Sequence, residues 1–192
     1  MLDTLGIVLI PSRAVTPHCG PGIHQWVRRS LAGKPLLDWL VRRMTEAQRL
    51  DGVIVVVGQA ERELVPLVPL DVPVFVSSGE DPLARAAEAV REYPCHAAVL
   101  AGLESPLTDP ELIDRLVVRA RENAAADYVG YASEGEPERG RNLGVFAEWT
   151  ASRALLHAAR EATHPLDRMY VTRYIRRQTE KFSAGYLSLP AR

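Results

Sequence analysis

The sequence predicts an α/β fold: a single-domain, doubly wound, mostly parallel sheet with helices on both faces and a small antiparallel element. Three observations carry that prediction. Val53 to Val57 is a continuous β-branched run, the pattern of a strand buried on both faces. Short apolar runs of this kind alternate with amphipathic segments along the chain, the order of a parallel sheet. Two of those segments open on Asp-Pro, at Asp81-Pro82 and Asp109-Pro110, an N-cap followed by a first-turn proline.

The elements follow in order. Ile7 to Ile10 reads as the first strand, and residues 11–32 as a loop rich in glycine, proline and basic residues. A helix is expected from Pro35 to near Leu50, with Leu37, Leu40, Val41 and Met44 on one face. After the strand at residues 53–57, a short helix at residues 59–64 is expected to break at Pro66 and Pro69. Residues 72–76 form the third strand, and the helix after Asp81 buries Leu83, Ala86, Ala87 and Val90. Residues 97–101 form the fourth strand, and the helix after Asp109 buries Leu112, Ile113, Leu116 and Val117. A fifth strand is placed at residues 128–131, a polar loop at 133–141 and a short strand at 143–146. Helices over roughly 150–161 and 167–179 and a last strand at 186–189 complete the pattern.

Length and composition bound the function. The chain has 192 residues, 47% hydrophobic and 24% charged, which suits one domain spanning residues 1–192. A formal net charge of -1 gives no electrostatic ground for nucleic-acid or membrane partners. Cys19 and Cys95 form no disulfide framework, so a reduced, cytoplasmic setting is expected. Neither a secretory leader nor a membrane-spanning run is read from the sequence.

In a sheet of this class ligands lie outside the C-terminal strand ends. The loops expected there are residues 11–32, 77–81, 102–108 and the segment around Asn142. Ser12, Arg13, Arg28 and Arg29, with Gly20 and Gly22, offer guanidinium and backbone N–H donors suited to a polyphosphate; ordinary solvated loop arginines are the alternative. Glu104 follows the fourth strand, where a carboxylate can hold a divalent metal or simply face solvent. Asp81 is accounted for by helix capping, and neighbouring Ser77-Ser78-Gly79 keeps a binding role open for it. The five histidines show no zinc-ligand spacing.

Several stretches resemble one family in the same order along nearly the whole chain. Leu31-Ala32-Gly33-Lys34-Pro35-Leu36 is similar to the "L-x-G-K-P-L" of the cytidylyltransferases that activate acidic sugars. These are the acylneuraminate and Kdo cytidylyltransferases and the related spore-coat polysaccharide proteins. Ile10 to Arg13 stands where they have "P-A-R". Residues 78–85 resemble the spore-coat "S-E-D-V-L-x-R", and residues 105–113 resemble "C-P-L-I-D-P-E-L-I". Residues 140–146 look like "G-L-D-V-E-V-F", and residues 167–175 like "x-R-E-H-V-T-P-Y-I".

The resemblance implies transfer of a nucleotidyl group from CTP, with Mg²⁺, to a sugar or sugar acid, and it offers a homodimer as one assembly. It implies Arg13, Arg28 and Arg29 as catalytic groups on the phosphates, with Ser12, Arg13, Ser78 and Asp81 binding the nucleotide. Glu104 and Asn142 would be the metal ligands and Arg168 the acceptor contact. The sequence departs from the pattern at Trp26 (for lysine), Glu104 and Asn142 (for aspartates), Gly102, Met169 and Tyr170. The family's usual C-terminal continuation after this point is not found before Arg192. Two further readings stand beside transfer: a catalytically inactive partner subunit, and a glycosyltransferase-like protein taking a sugar nucleotide.

Overall fold

The computed structural model describes residues 1–10, 28–132 and 145–189. Strands β1 (Leu2–Leu9), β4 (Gly52–Gly58), β5 (Val74–Ser77), β6 (Cys95–Gly102), β7 (Tyr128–Ala132), β8 (Glu148–Ala151) and β9 (Ala184–Ser188) form one sheet, and β2 (Ser30–Leu31) and β3 (Lys34–Pro35) a separate hairpin. The sheet order is β5-β4-β1-β6-β8-β7-β9. Among the described residues β8 runs antiparallel to both neighbours, and the other pairings in the sheet are parallel. The expected doubly wound, mostly parallel α/β fold is therefore present, with its antiparallel element.

The helices are α1 (Leu36–Thr45), α2 (Pro82–Glu92), α3 (Pro110–Arg121), α4 (Ser152–Glu161), α5 (Pro165–Met169) and α6 (Arg173–Arg177), with a 3₁₀ helix at Gln59–Leu67. They form two groups: α1 packs with α3, and α2 packs with α4 and α5. Covered on both faces, the central strands bury apolar runs: Ile7, Val8, Val55, Val56, Val57, Ala98 and Val99 are fully buried. Each buried valine or isoleucine contributes about 1.5–3 kcal/mol.

Four expectations are corrected. Pro35 lies in β3 as the N-cap of α1 rather than in its first turn, and α1 ends at Thr45, short of Leu50. The 3₁₀ helix runs through Pro66, because i→i+3 bonding suits a short proline-containing segment better than the α form. Of the strand placed at 143–146, residues 143–144 lie outside the described residues and Val145 and Phe146 are not in a strand; β8 is at Glu148–Ala151, where antiparallel pairing with β6 sets Glu148 opposite Leu100 and Ala151 opposite Ala97. The single helix over 167–179 is two: Tyr170, at φ -100 and ψ 93, ends α5 before Arg173 starts α6.

The β2–β3 hairpin turns on Ala32 and Gly33, at φ 49 and 81, the paired left-handed conformations of a tight two-residue turn. The Trp39 indole N–H donates to the Leu31 carbonyl at 2.7 Å and fixes the hairpin on α1.

Candidate functional site

Parallel pairing puts the C-terminal ends of β1, β4, β5 and β6 on one edge of the sheet. The loop after β6 is the simplest part of that edge. The Ser105 N–H donates to the Gly102 carbonyl at 2.9 Å, and the Thr108 hydroxyl donates to the Ser105 carbonyl at 2.6 Å. Leu103 and Ser105 are buried, so Glu104 between them is turned outward. Its carboxylate folds back over the end of the strand: a Cβ on Gly102 would overlap its oxygens and lie 2.5 Å from its Cδ. Gly102 pairs with Leu9, so this carboxylate stands where β1 and β6 end together. The Asp109 N–H donates to the Val145 carbonyl at 3.0 Å, which brings the chain just beyond Asn142 in sequence against the same loop.

The loop after β5 is held by helix α2. Asp81 caps the helix, accepting from the Ala84 N–H at 2.9 Å. Glu88 accepts from the Ser77 hydroxyl at 2.5 Å, the Ser78 N–H and hydroxyl at 3.0 Å each, and the Gly79 N–H at 3.3 Å. Burial acts to raise the Glu88 carboxyl, but these donors outweigh it and hold the group below the usual glutamate range. Arg85 lies between Asp81 and Glu88 on the same helix face. Its Nε donates to the Gly79 carbonyl at 2.9 Å and its Nη1 to the Ile10 carbonyl at 3.1 Å, with Glu61 Oε2 paired at 3.0 Å. Arg85 and Glu61 are both buried, and Gly58 makes room for them: a Cβ there would overlap the guanidinium and lie 2.5 Å from Glu61 Oε2.

The sequence-expected residues fall as follows. Ser12, Arg13 and Asn142, with Trp26, lie outside the described residues. Arg28 is half-exposed and pairs with Glu63 of the 3₁₀ helix at 3.5 Å. Arg29 is exposed, and its carbonyl accepts the Leu36 N–H at 3.0 Å. Ser78 is engaged by Glu88. Asp81 and Arg168, expected on nucleotide and acceptor respectively, meet each other: Arg168 Nε donates to Asp81 Oδ2 at 2.6 Å. Arg168 Nη1 also caps α4, donating to the Ala159 and Ala162 carbonyls at 3.2 and 2.9 Å.

Two groups carry no assignment from the sequence. One is Arg85 with Glu88, which join the nucleotide-assigned Asp81 in a charged stripe at i, i+4, i+7 spacing; Arg85 also closes the stretch that resembles "S-E-D-V-L-x-R", a motif that names no role for it. The other lies across β7 and β8. Glu148 accepts from the Tyr128 hydroxyl at 2.7 Å and from the Thr172 hydroxyl at 2.8 Å, with the Arg176 guanidinium over the Tyr128 ring. No sequence motif singles out this second group. Among the described residues no group of three or more His, Cys, Asp and Glu is placed to hold a metal. Mg²⁺ commonly takes one or two carboxylates and completes its shell with phosphate oxygens and water. An outward carboxylate at Glu104 fits that mode.

Comparison with known proteins places this arrangement. The model of the MobA-like NTP transferase domain matches residues 28–183. An uncharacterised protein of Methanocaldococcus jannaschii is 30% identical over 163 residues, 83% of this chain and 64% of that protein. The chain thus spans just under two thirds of that relative's length. A cytidylyltransferase from Leptospira borgpetersenii superposes with a TM-score of 0.75 at 17% identity, over 98% of this chain and 77% of the other. A CMP:2-keto-3-deoxy-manno-octonic acid synthetase complexed with CTP gives 0.70 at 9% identity, over 98% and 90%. At these identities the two structures share the fold. The chain belongs to the family of the MobA-like NTP transferase domain.

Proposed function

We propose that the protein binds CTP with Mg²⁺ and transfers the cytidylyl group to a sugar or sugar acid for surface polysaccharide, in the manner of the spore-coat branch. In this reaction an acceptor oxygen attacks the α-phosphorus, the bond from that phosphorus to the bridging oxygen breaks, and pyrophosphate leaves while the acceptor proton passes to solvent. Such chemistry needs positioning and charge stabilisation more than covalent participation. Glu104, with Asn142, would hold Mg²⁺, whose contribution is to neutralise the phosphate charge. Arg13, Arg28 and Arg29 would bind phosphates, Ser12, Ser78 and Asp81 would flank the nucleotide, and Arg168 would face the acceptor.

The observation that carries the proposal is the Glu104 carboxylate seated over Gly102 where β1 and β6 end. The family assignment and the collinear motifs support it. Isothermal titration with CTP, UTP, ATP and GTP, each with Mg²⁺, tests it. Binding of CTP in preference to the others is expected, and no binding to any of them sinks the proposal.

A second reading, a catalytically inactive relative acting as a nucleotide-binding or partner subunit, is favoured by one specific feature. Arg28, Ser78 and Arg168 are each engaged by a carboxylate of the protein itself, Glu63, Glu88 and Asp81. Pyrophosphate release with a panel of sugar acids decides between the two. Turnover that Glu104→Ala abolishes excludes the inactive reading.

A further inference from the structure

Ser78 is exposed on the loop after β5, yet its hydroxyl hydrogen is already committed. It points inward to Glu88 Oε1 on helix α2, 3.0 Å away. The other carboxylate oxygen, Oε2, takes further donors from the same loop: the Ser77 hydroxyl at 2.5 Å, the Ser78 N–H at 3.0 Å and the Gly79 N–H at 3.3 Å. The Gly79 N–H is shared with the Ser77 hydroxyl oxygen at 3.0 Å. Glycine lets the loop come this close, because a Cβ at position 79 would lie 2.8 Å from the Arg85 backbone nitrogen.

What a carboxylate adds to such a loop is direction. An ionised carboxylate has no hydrogen to give, so every hydrogen bond to it must come from its partner. The loop's donors hold Glu88 below the usual glutamate range, so it is ionised at neutral pH. A serine hydroxyl ordinarily rotates to donate or to accept as its surroundings ask. With its hydrogen fixed on Glu88, the exposed Ser78 hydroxyl offers solvent its lone pairs.

We propose that Glu88 is a positioning residue that sets Ser78 as an acceptor, so that this loop selects a nucleobase carrying an exocyclic amine over one carrying an oxo group in the same place. The inference rests on the nucleotide-binding reading, in which Ser78 flanks the nucleotide, and gives a part to a residue that reading leaves out. Glu88 acts through Ser78 and touches no reacting atom. Cytosine and uracil differ in this way at C4, an amine donor in one and an oxygen acceptor in the other. Facing an oxo group, the Ser78 lone pairs would meet a second acceptor and leave both unpaired.

Glu88→Gln reverses the direction and keeps the shape. The amide oxygen belongs at the Oε2 position, where the Ser77 hydroxyl and the two N–H groups need an acceptor. The amide nitrogen then stands at the Oε1 position and donates to Ser78, whose hydrogen is freed to point outward. Titration of the full chain with CTP and UTP, each with Mg²⁺, reads the change. The native chain should prefer CTP. Glu88→Gln should lower the CTP-to-UTP affinity ratio by about 10-fold or more, with UTP binding at least as tightly as before. Ser78→Ala should lower the ratio as well, and adding Glu88→Gln to it should shift the ratio by less than about 2-fold. Equal weakening of CTP and UTP would make Glu88 an anchor of the loop and nothing more. That result overturns the proposal, as do a native preference for UTP, an unchanged ratio, and a ratio that Glu88→Gln still shifts once the Ser78 hydroxyl is gone. If Glu88→Gln does not fold, Ser78→Ala decides alone: an unchanged ratio there overturns the proposal.

A second arm needs no nucleotide and follows an amide that Glu88 itself holds. In the unliganded chain Glu88→Ala should speed hydrogen exchange at the Ser78 amide by about 10-fold or more. The Ala84 amide, bound to Asp81 at 2.9 Å, should change by less than about 3-fold. Unchanged exchange at Ser78, or an equal rise at Ala84, overturns the proposal. If neither CTP nor UTP binds the native chain, the nucleotide reading falls, and this arm still decides whether Glu88 commits the donors of the loop.

Discussion

Asp81 and Arg168, 87 positions apart in sequence, meet at 2.6 Å between Oδ2 and Nε and join the start of α2 to the end of α4. The carboxylate caps one helix with its other oxygen, and the guanidinium caps the other helix through Ala159 and Ala162. One ion pair therefore closes two helix termini. Arg168→Ala should destabilise the protein by about 1–3 kcal/mol, as expected for charge-assisted bonds lost at a partly buried site. Asp81→Asn keeps a capping oxygen and should cost less. Urea unfolding of both single variants and the double variant should give a coupling of about 0.5–3 kcal/mol. A coupling near zero would mean that the pair is ornamental.

Glu88 makes the loop after β5 sensitive to acid. Its carboxyl is held below the usual glutamate range in the folded protein, so the folded state binds the proton less readily than the unfolded chain. The stability it contributes is fully present above about pH 4.5 and is lost as pH falls through the lower folded value. Glu88→Gln should flatten the acid limb of a stability-pH profile below that point and leave the neutral region offset by about 1–3 kcal/mol. An acid limb unchanged in the variant would remove Glu88 as its source.

Gly102 and Glu104 should behave as a pair. Gly102→Ala places a methyl where the carboxylate now lies and should push it off the strand end. On the proposed function, Mn²⁺ or Mg²⁺ affinity in the presence of CTP should fall by about 10-fold, roughly 1.4 kcal/mol. The shorter side chain of Glu104→Asp needs less of that space, so the double variant should recover part of the loss. A Gly102→Ala protein with unchanged metal affinity would show that the seated conformation has no role in binding.

Ala32 occupies a left-handed conformation that costs an L-residue about 1–2 kcal/mol. Ala32→Gly should therefore raise stability slightly, by up to about 1 kcal/mol after the added chain entropy is counted. Thermal unfolding checks this. A loss of stability would mean that the turn is not strained at this position.

How much of this was legible depended on whether an element is specified locally. Val53 to Val57 and the two Asp-Pro starts were readable because β-branched runs and caps act over a few neighbours, and the structure has β4, α2 and α3 there. Strand β8 was not, since Glu-Trp-Thr-Ala becomes a strand through antiparallel pairing with β6, a partner far away in sequence. The break between α5 and α6 was likewise hidden. Residues 167–179 carry one helical pattern, but the Thr172 hydroxyl is drawn to Glu148 and the Asp167 carboxylate pairs with Arg173. At the candidate site, Glu104 was visible from its place after a strand. Arg85 stands at the end of a quoted motif, but its contacts were not legible, because only the folded chain brings the Ile10 and Gly79 carbonyls to one guanidinium.

The empty space at Gly58 also constrains how this protein can change over time. Any side chain there overlaps the Arg85 guanidinium, so position 58 can be filled only if that guanidinium moves aside. Position 85 can change first, because a smaller residue leaves room beside Gly58. The two positions are thus coupled, and a side chain at one asks for a smaller or displaced side chain at the other.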